Sequence, residues 1–265
     1  MLTKATEKHR ELIMNYCLVE PNINIFIIGD IENFGFETDF QEVWIQTIGD
    51  KLVCIVLRYH DNFIIYSKDL DLEINEIGIL LSTRNANIIS GKLNVIDLFY
   101  PIVKSKYSKR DMYFCQLLNT SKLIEDTSEV EIAESIDAME IALAYEQIEE
   151  FSGVYSSGLD SRYKQIASRI KTKEGVHMFI KKDGKIVSHG NTSAETSVSA
   201  IVGGILTIPE YRKRGLASEM VSALCRNLYL RGKAACLLFD NPEAGEIYHK
   251  LGFQNIDKWV ILGRK

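Results

Sequence analysis

The stretch Gly203-Gly204-Ile205-Leu206-Thr207-Ile208-Pro209-Glu210-Tyr211-Arg212-Lys213-Arg214-Gly215-Leu216-Ala217 decides the fold. Its first part closes a run from Ser199 to Thr207 of small and β-branched residues suited to a buried strand, and beyond it Leu216, Met220, Val221, Leu224 and Leu228 recur at helical spacing. Arg212 to Gly215 is therefore predicted to be a loop at the start of a helix. The first N–H groups of a helix lack intrahelical partners, and the aligned peptide dipoles place about half a positive charge there. Gly215 has no Cβ to obstruct an approaching anion, so main chain alone can hold a diphosphate. A solvated basic turn is the plainer reading of Arg212, Lys213 and Arg214.

Downstream, Leu237-Leu238-Phe239-Asp240-Asn241-Pro242-Glu243-Ala244 leads to Ile247-Tyr248-His249-Lys250-Leu251-Gly252-Phe253. The loop Arg212-x-x-Gly215-x-Ala217 followed by Asn241-x-x-Ala244 and Tyr248-x-Lys250-x-Gly252-Phe253 resembles the GCN5-related N-acetyltransferases (GNAT), with alanine at 217 where that family also has glycine. Rossmann and Walker A loops are excluded by the spacing and by missing Gly and Lys-Ser/Thr positions. The resemblance implies acetyl-CoA as cosubstrate. Its diphosphate would be surrounded by the backbone N–H groups of Lys213, Arg214, Gly215, Leu216, Ala217 and Ser218, with Arg212, Lys213 and Arg214 supplying positive charge. The main chain of Ile205 and Thr207, with Leu206 between them, would pair with the pantetheine arm. Gly203-Gly204 fits a bulge or close approach that splays this strand from the next, opening a gap for the acetyl group. The same likeness makes Asn241 a CoA contact and Tyr248 the acid beside the leaving sulfur. Asn241 can also be a helix cap before Pro242, and Tyr248 a core aromatic near Ile247, Leu251 and Phe253.

Acyl transfer to an amine requires a neutral amine and a stabilised thiolate. A free thiol (pKa about 8.5) against a phenol (about 10) makes full proton transfer from an ordinary Tyr uphill by roughly 2 kcal/mol, so a hydrogen bond from Tyr248 is the safer expectation. An alkyl amine of pKa about 10.4 is only about one part in 10³ neutral near pH 7, so a base or a desolvating pocket is expected. Glu195 and His189 are the candidates, on or beside the strand predicted over 186–193. Glu195 also reads as a turn carboxylate and His189 as a hydrogen-bonded sheet histidine.

The rest of the chain sets the frame. Its 265 residues, 46% hydrophobic, suit one large or two ordinary domains with packed cores. A net charge of -5 and a pI near 5.7 supply no basic footprint for nucleic acid or an anionic membrane. No apolar run approaches about 20 residues and the N-terminus has no signal pattern, so a cytoplasmic protein is expected. Cys17, Cys54, Cys115, Cys225 and Cys236 form no C-x-x-C pair and read as reduced core residues, and the five histidines show no metal-ligand spacing; no metal is expected.

Helical patterns over about 133–151 and 159–171 precede strands near 176–182, 186–193 and 199–207, the helix from 215, a strand at 234–239, a helix at 243–251 and a strand at 254–262. The N-terminal half has the same order: a helix over about 4–18, strands near 42–48, 52–59 and 62–67, a helix near 72–82, a strand at 87–90, a helix at 92–103 and a strand at 111–118. The expected fold class is α+β, with two tandem GNAT-like domains, 1–125 and 126–265, each a twisted, mixed, mostly antiparallel sheet flanked by helices. In the first half the segment matching the loop, Ser67-Lys68-Asp69-Leu70-Asp71-Leu72-Glu73, lacks glycine and is net acidic. Its carboxylates repel a diphosphate, so this half is read as a degenerate copy that does not bind CoA. Residues 21–36 also resemble the opening of bacterial two-domain members of the family.

The reaction implied is acetyl transfer from the CoA thioester to the primary amine of a small-molecule acceptor, in the domain 126–265. A non-catalytic acyl-CoA-binding regulator and a protein or peptide N-acetyltransferase are the alternatives. Nothing in the residues sets the oligomeric state, so a homodimer stays open.

Overall fold

β-Branched and aromatic residues alternate with turn signals through both halves, and each such run is a strand. The computed structural model describes residues 1–149 and 158–265, and the last two residues of the helix expected over 133–151 lie outside them. The chain divides into two compact units. The first comprises Met1–Cys115, Leu238–Asp240 and Asn255–Lys265, and the second Gln116–Leu237 and Asn241–Gln254.

In the first unit the strands are β1 (Leu2–Lys4), β2 (Gln41–Ile48), β3 (Lys51–Tyr59), β4 (Asn62–Tyr66), β5 (Ile88–Lys92) and β6 (Tyr107–Leu117), with helices α1 (Arg10–Cys17), α2 (Ile25–Phe34), α3 (Ile74–Thr83) and α4 (Leu93–Val103). The last strand of the chain, β12 (Phe253–Arg264), enters this sheet, whose order is β1-β2-β3-β4-β5-β12-β6. β12 pairs antiparallel with β5 from Trp259↔Lys92 to Gly263↔Ile88, which is why residues 255–265 group with the N-terminal unit; 116–125 group with the C-terminal one, where the Ile124 N–H donates to Ser222 Oγ and Arg226 donates to the Leu123 and Ile124 carbonyls. β4 and β5 pair in parallel; the β1-β2, β2-β3 and β3-β4 ladders are antiparallel. Trp44, Val56, Phe63, Ile65, Ile89 and Phe99 meet in its core.

The second unit has the order β11-β10-β9-β8-β7, from β7 (Glu131–Ile132), β8 (His177–Lys182), β9 (Lys185–Ser193), β10 (Ser199–Thr207) and β11 (Ala234–Phe239). Its helices are α5 (Ala138–Glu146), α6 (Gly158–Thr172), α7 (Leu216–Leu230) and α8 (Pro242–Lys250). Again one pair is parallel, β10 with β11, and the rest are antiparallel. The β8–β9 hairpin turns at Asp183-Gly184, both at positive φ (51° and 75°), as the Asp-Gly signal demands. On α7 the stripe Leu216, Met220, Val221, Leu224 and Leu228 is buried against β8–β10, each side chain contributing about 1.5–3 kcal/mol relative to exposure. α5 packs on β9 as well. Successive β9 residues separate the two faces: Gly190 lies under Met220 and Leu224 of α7, and His189 lies beside Tyr145 of α5.

Most elements expected from the sequence form within a few residues of their predicted ends, but the helix expected over 133–151 is, among the described residues, a 3-10 turn (Ser135–Asp137) followed by the shorter α5 (Ala138–Glu146). The helix expected over 4–18 is instead β1, a 3-10 turn (Glu7–His9) and α1, and α2 was not anticipated as a helix. Isoleucines at 23, 25, 27, 28 and 31 are all buried, so this apolar run carries no clear 3.6-residue period to read. All five cysteines are free and buried. No helix among the described residues is long and apolar enough to cross a membrane.

Candidate functional site

Two parallel strands feeding two helices place the motif residues at one edge of the second unit. β10 runs into the loop before α7 and β11 into Asn241 before α8, so both motifs leave the carboxyl ends of neighbouring parallel strands, the edge where open α/β sheets bind ligands. The β10–β11 ladder has only the rungs Ser199↔Ala234, Ala200↔Ala235 and Ile201↔Cys236. The β10–β9 ladder continues to Thr207↔Ser188. From Val202 onward β10 thus has a ladder on its β9 side alone. A register shift between Gly203↔Asn191 and Leu206↔His189 inserts one extra β10 residue, a bulge with Gly204 at φ +59°.

In the first unit the equivalent parallel pair stays closed. β4 and β5 pair from Asn62↔Ile88 to Ile65↔Gly91, one residue from the end of each strand, and a Cβ on Gly91 would collide with the Ile65 carbonyl. Beyond that pair Lys92 is held by Glu20 (Nζ to Oε1 2.9 Å) and Asp257 (Nζ to Oδ2 3.1 Å). The backbone N–H at Glu73, just before α3, donates to Gln46 Oε1 at 2.8 Å, and Lys51 pairs with Asp69 at 2.9 Å. At the start of α3 the Gln46 side chain thus takes the Glu73 N–H and also donates to the Glu73 carbonyl (3.1 Å) and to Glu76 Oε2 (3.0 Å).

The loop before α7 has the opposite character. A 3-10 turn, Pro209–Tyr211, is followed by Arg212 in extended conformation, Lys213 at φ +62° and Gly215 at φ +86°. Arg212 Nε donates to the Thr207 carbonyl (3.1 Å) and Arg214 Nη2 to the Glu210 carbonyl (3.0 Å), with the Arg214 guanidinium over the Tyr211 ring at 4.8 Å. These bonds order the loop from its side chains. The first backbone bond into α7 is Glu219 N–H to the Gly215 carbonyl at 3.0 Å. Ahead of it, among the described residues, the Lys213–Ser218 amides donate to no backbone acceptor outside the helix. A Cβ built on Gly215 meets no atom within 4 Å, so the space over these amides is open. Unfilled donors, a helix start and three cationic side chains fit a diphosphate.

Asn241 is exposed and caps α8, its Oδ1 accepting from the Glu243 N–H at 2.9 Å. The cap reading therefore holds. Tyr248, half-buried on α8, packs edge-to-face on Phe253 with ring centroids 6.1 Å apart.

The two sequence-derived base candidates are not brought into that role. Glu195 lies before Ser199, at the amino ends of β10 and β11; the eight steps of strand from Ser199 to Thr207 span roughly 26 Å. Its carboxylate is gripped by Arg231 (2.7 and 3.1 Å), Lys233 (3.0 Å) and the Thr192 hydroxyl (2.5 Å). Burial alone would push this carboxyl up, but the bonds from Arg231, Thr192 and Lys233 outweigh it and hold it below its ordinary value. It is an ion-paired turn carboxylate.

His189 is fully buried in β9, and burial, followed by the neighbouring His177, drives its pKa well below the usual imidazole value. Its Nε2 lies 3.1 Å from His177 Nδ1 and its Nδ1 3.3 Å from the Gly204 carbonyl. Both ring nitrogens are thus committed, and neither is exposed to an incoming amine. The residues that sequence reasoning passed over are those around His189: Tyr145, His177 and Asn191. They are ordinary residues of a helix and two strands, and no local pattern marks them.

The family model for GNAT acetyltransferase matches residues 83–262. Among solved structures, a GCN5-related N-acetyltransferase from Sphaerobacter thermophilus aligns over 100% of this chain and 95% of its own at 14% identity and TM-score 0.63. A tandem GNAT protein from the clavulanic acid biosynthesis pathway aligns over 99% and 97% at 12% identity and TM-score 0.61. A Drosophila protein aligns over 98% of both chains at 12% identity and TM-score 0.65. At these identities the structural matches speak for the fold alone. A search of curated proteins finds no match. With a family model spanning more than half its length and two units that repeat one strand-helix order, the chain belongs to the GNAT acetyltransferase family.

Proposed function

We propose that this protein transfers the acetyl group of acetyl-CoA to the primary amine of a small-molecule acceptor, using residues of the 126–265 half, with 1–125 a degenerate copy that holds no CoA. The observation that carries this reading is the early end of the β10–β11 ladder at Ile201↔Cys236, in a strand that runs on into the open loop at Lys213–Gly215. The amides of Lys213–Ser218 and the cations Arg212, Lys213 and Arg214 would hold the diphosphate. The unpaired edge of β10 at Ile205, Leu206 and Thr207 offers main-chain partners to the amide-bearing arm, and Asn241 adds a side-chain amide from α8.

When bound, the thioester supplies an activated acyl carbon. The acceptor nitrogen forms a bond to that carbon as the carbon–sulfur bond breaks, the sulfur leaves as a thiolate, and water carries away the proton the amine loses and supplies one to the thiolate. Tyr248 is proposed to donate a hydrogen bond to the leaving sulfur, which lowers the barrier without a full proton transfer. Neither Glu195 nor His189 removes the amine proton in this scheme, which leaves that step to water or to the acceptor's own equilibrium. A cytoplasmic location belongs to the same proposal, because acetyl-CoA is an intracellular metabolite.

A thiol-release assay with acetyl-CoA across a panel of small amines tests it. Release that depends on one class of amine supports the reading. CoA binding with no release under any amine would leave a binding protein in its place, and release only with peptides would shift the acceptor class.

A further inference from the structure

Resting on the acetyl-transfer reading, we propose that Tyr145 and His189 are positioning residues: together they hold the Gly204 carbonyl so that the N–H of the same peptide, on Ile205, points into the gap beside β10 as a donor to the thioester oxygen. The Tyr145 hydroxyl donates to the Gly204 carbonyl at 3.1 Å. His189 Nδ1 lies 3.3 Å from the same oxygen. A carbonyl oxygen only accepts, so Nδ1 carries the proton and Nε2 the lone pair. The nitrogen facing that lone pair, His177 Nδ1 at 3.1 Å, must then be the donor. One arrangement of protons satisfies the whole series, His177 N–H to His189 and His189 N–H to Gly204, with both imidazoles neutral.

The surroundings make this peptide hard to turn. Gly204 has φ +59°, and a Cβ there would collide with the Asn191 amide oxygen and the Tyr145 hydroxyl. His189 and Tyr145 stack edge-to-face with centroids 5.5 Å apart, and the Arg162 guanidinium lies over the Tyr145 ring at 5.5 Å. Tyr145, His177, His189 and Asn191 are all buried. Across a trans peptide the C=O and the following N–H point in opposite directions. Two donors from the α5 side and from β9 pin the Gly204 oxygen, so the Ile205 N–H is aimed away from both. That direction is the edge where β10 has lost β11. A bulge without these donors could rotate the peptide by a crankshaft motion at its two flanking bonds, and the donor would be lost without any change in the diphosphate loop.

The test compares Tyr145→Phe, His189→Leu and His189→Asn with the parent chain. Thiol release is measured with the best amine of the panel, and calorimetry gives Kd for CoA and for acetyl-CoA. Tyr145→Phe and His189→Leu should each lower turnover about 10-fold, less than the loss of a whole oxyanion donor, with the CoA Kd within about twofold of the parent. His189→Asn, whose amide can occupy the place of Nδ1–H, should recover most of that loss. In the parent, the Ile205 amide proton resonance should shift further with acetyl-CoA than with CoA, a readout independent of how the variants fold. Unchanged turnover in both variants, a parallel loss of CoA and acetyl-CoA affinity, or an Ile205 resonance indifferent to the acetyl group would overturn the proposal. A parent chain that neither binds CoA nor releases thiol would instead remove the acetyl-transfer reading beneath it.

Discussion

Lys213 and Gly215, with one residue between them, both stand at positive φ, +62° and +86°. This doubled left-handed turn curls the loop so that its amides lead into the start of α7 instead of pairing with carbonyls, and it places the demand for glycine at 215. Gly215→Ala adds a methyl group to open space and should cost only the left-handed strain, about 1–2 kcal/mol of stability, with CoA binding retained. Gly215→Glu puts a carboxylate over the same amides and should raise the CoA Kd by at least about 10²-fold. Calorimetry on the two variants decides it; equal affinity in both would move the diphosphate away from this loop.

Tyr248→Phe should lower turnover roughly 10²-fold with the CoA Kd little changed, the range for a single acid-base group. Because the ring still packs on Phe253, thermal stability should hold. Parent-level turnover would assign Tyr248 to packing alone.

Glu195→Gln removes the charge that Arg231 and Lys233 share, leaving two cations near a neutral amide. A loss of about 1–3 kcal/mol is expected in denaturant melts, with the turnover of folded protein unchanged. Since the folded pKa of Glu195 is lowered, its contribution is present above the unfolded carboxyl value and fades as pH falls through the folded one. A selective fall in turnover at unchanged stability would restore Glu195 as a base.

Burial, aided by Arg169, lowers His177 to about 4, and burial together with His177 lowers His189 well below its ordinary value. Unfolded imidazoles titrate near pH 6.5, so below that the unfolded chain binds protons that the folded chain refuses. Stability should therefore decline as pH drops from about 6.5 toward 4, by up to about 1.4 kcal/mol per pH unit for each histidine. Urea midpoints at pH 7, 6 and 5 measure it. The double variant His177→Gln/His189→Asn should flatten the slope, and a parent slope equal to that of the double variant would contradict neutral burial.

Calorimetry should return one CoA per chain. A second site is not expected because β4 and β5 stay paired to Ile65↔Gly91, with Lys92 held by Glu20 and Asp257 beyond that rung. A stoichiometry of two would reverse the reading of the first half as degenerate.

Much of this was legible in the residues themselves. Periodicity and turn chemistry are local, so the strand at 199–207, the stripe on α7 and the Asp183-Gly184 hairpin could be read directly, and Gly215 with Arg212 marked the loop. The acidic, glycine-free composition of 67–73, on which the proposal of a first half without CoA rests, is a local feature of the same kind. Pairing is not local. That β12 lies beside β5, that the β10–β11 ladder stops at Ile201, and that Glu195 meets Arg231 while His189 meets Tyr145 and Gly204 depend on which strands and helices neighbour one another. A carboxylate and an imidazole in a sequence look equally fit to accept a proton. Only packing decides that one is held by cations at the far end of a sheet and that the other, cut off from water with both nitrogens bonded, is left to orient a peptide.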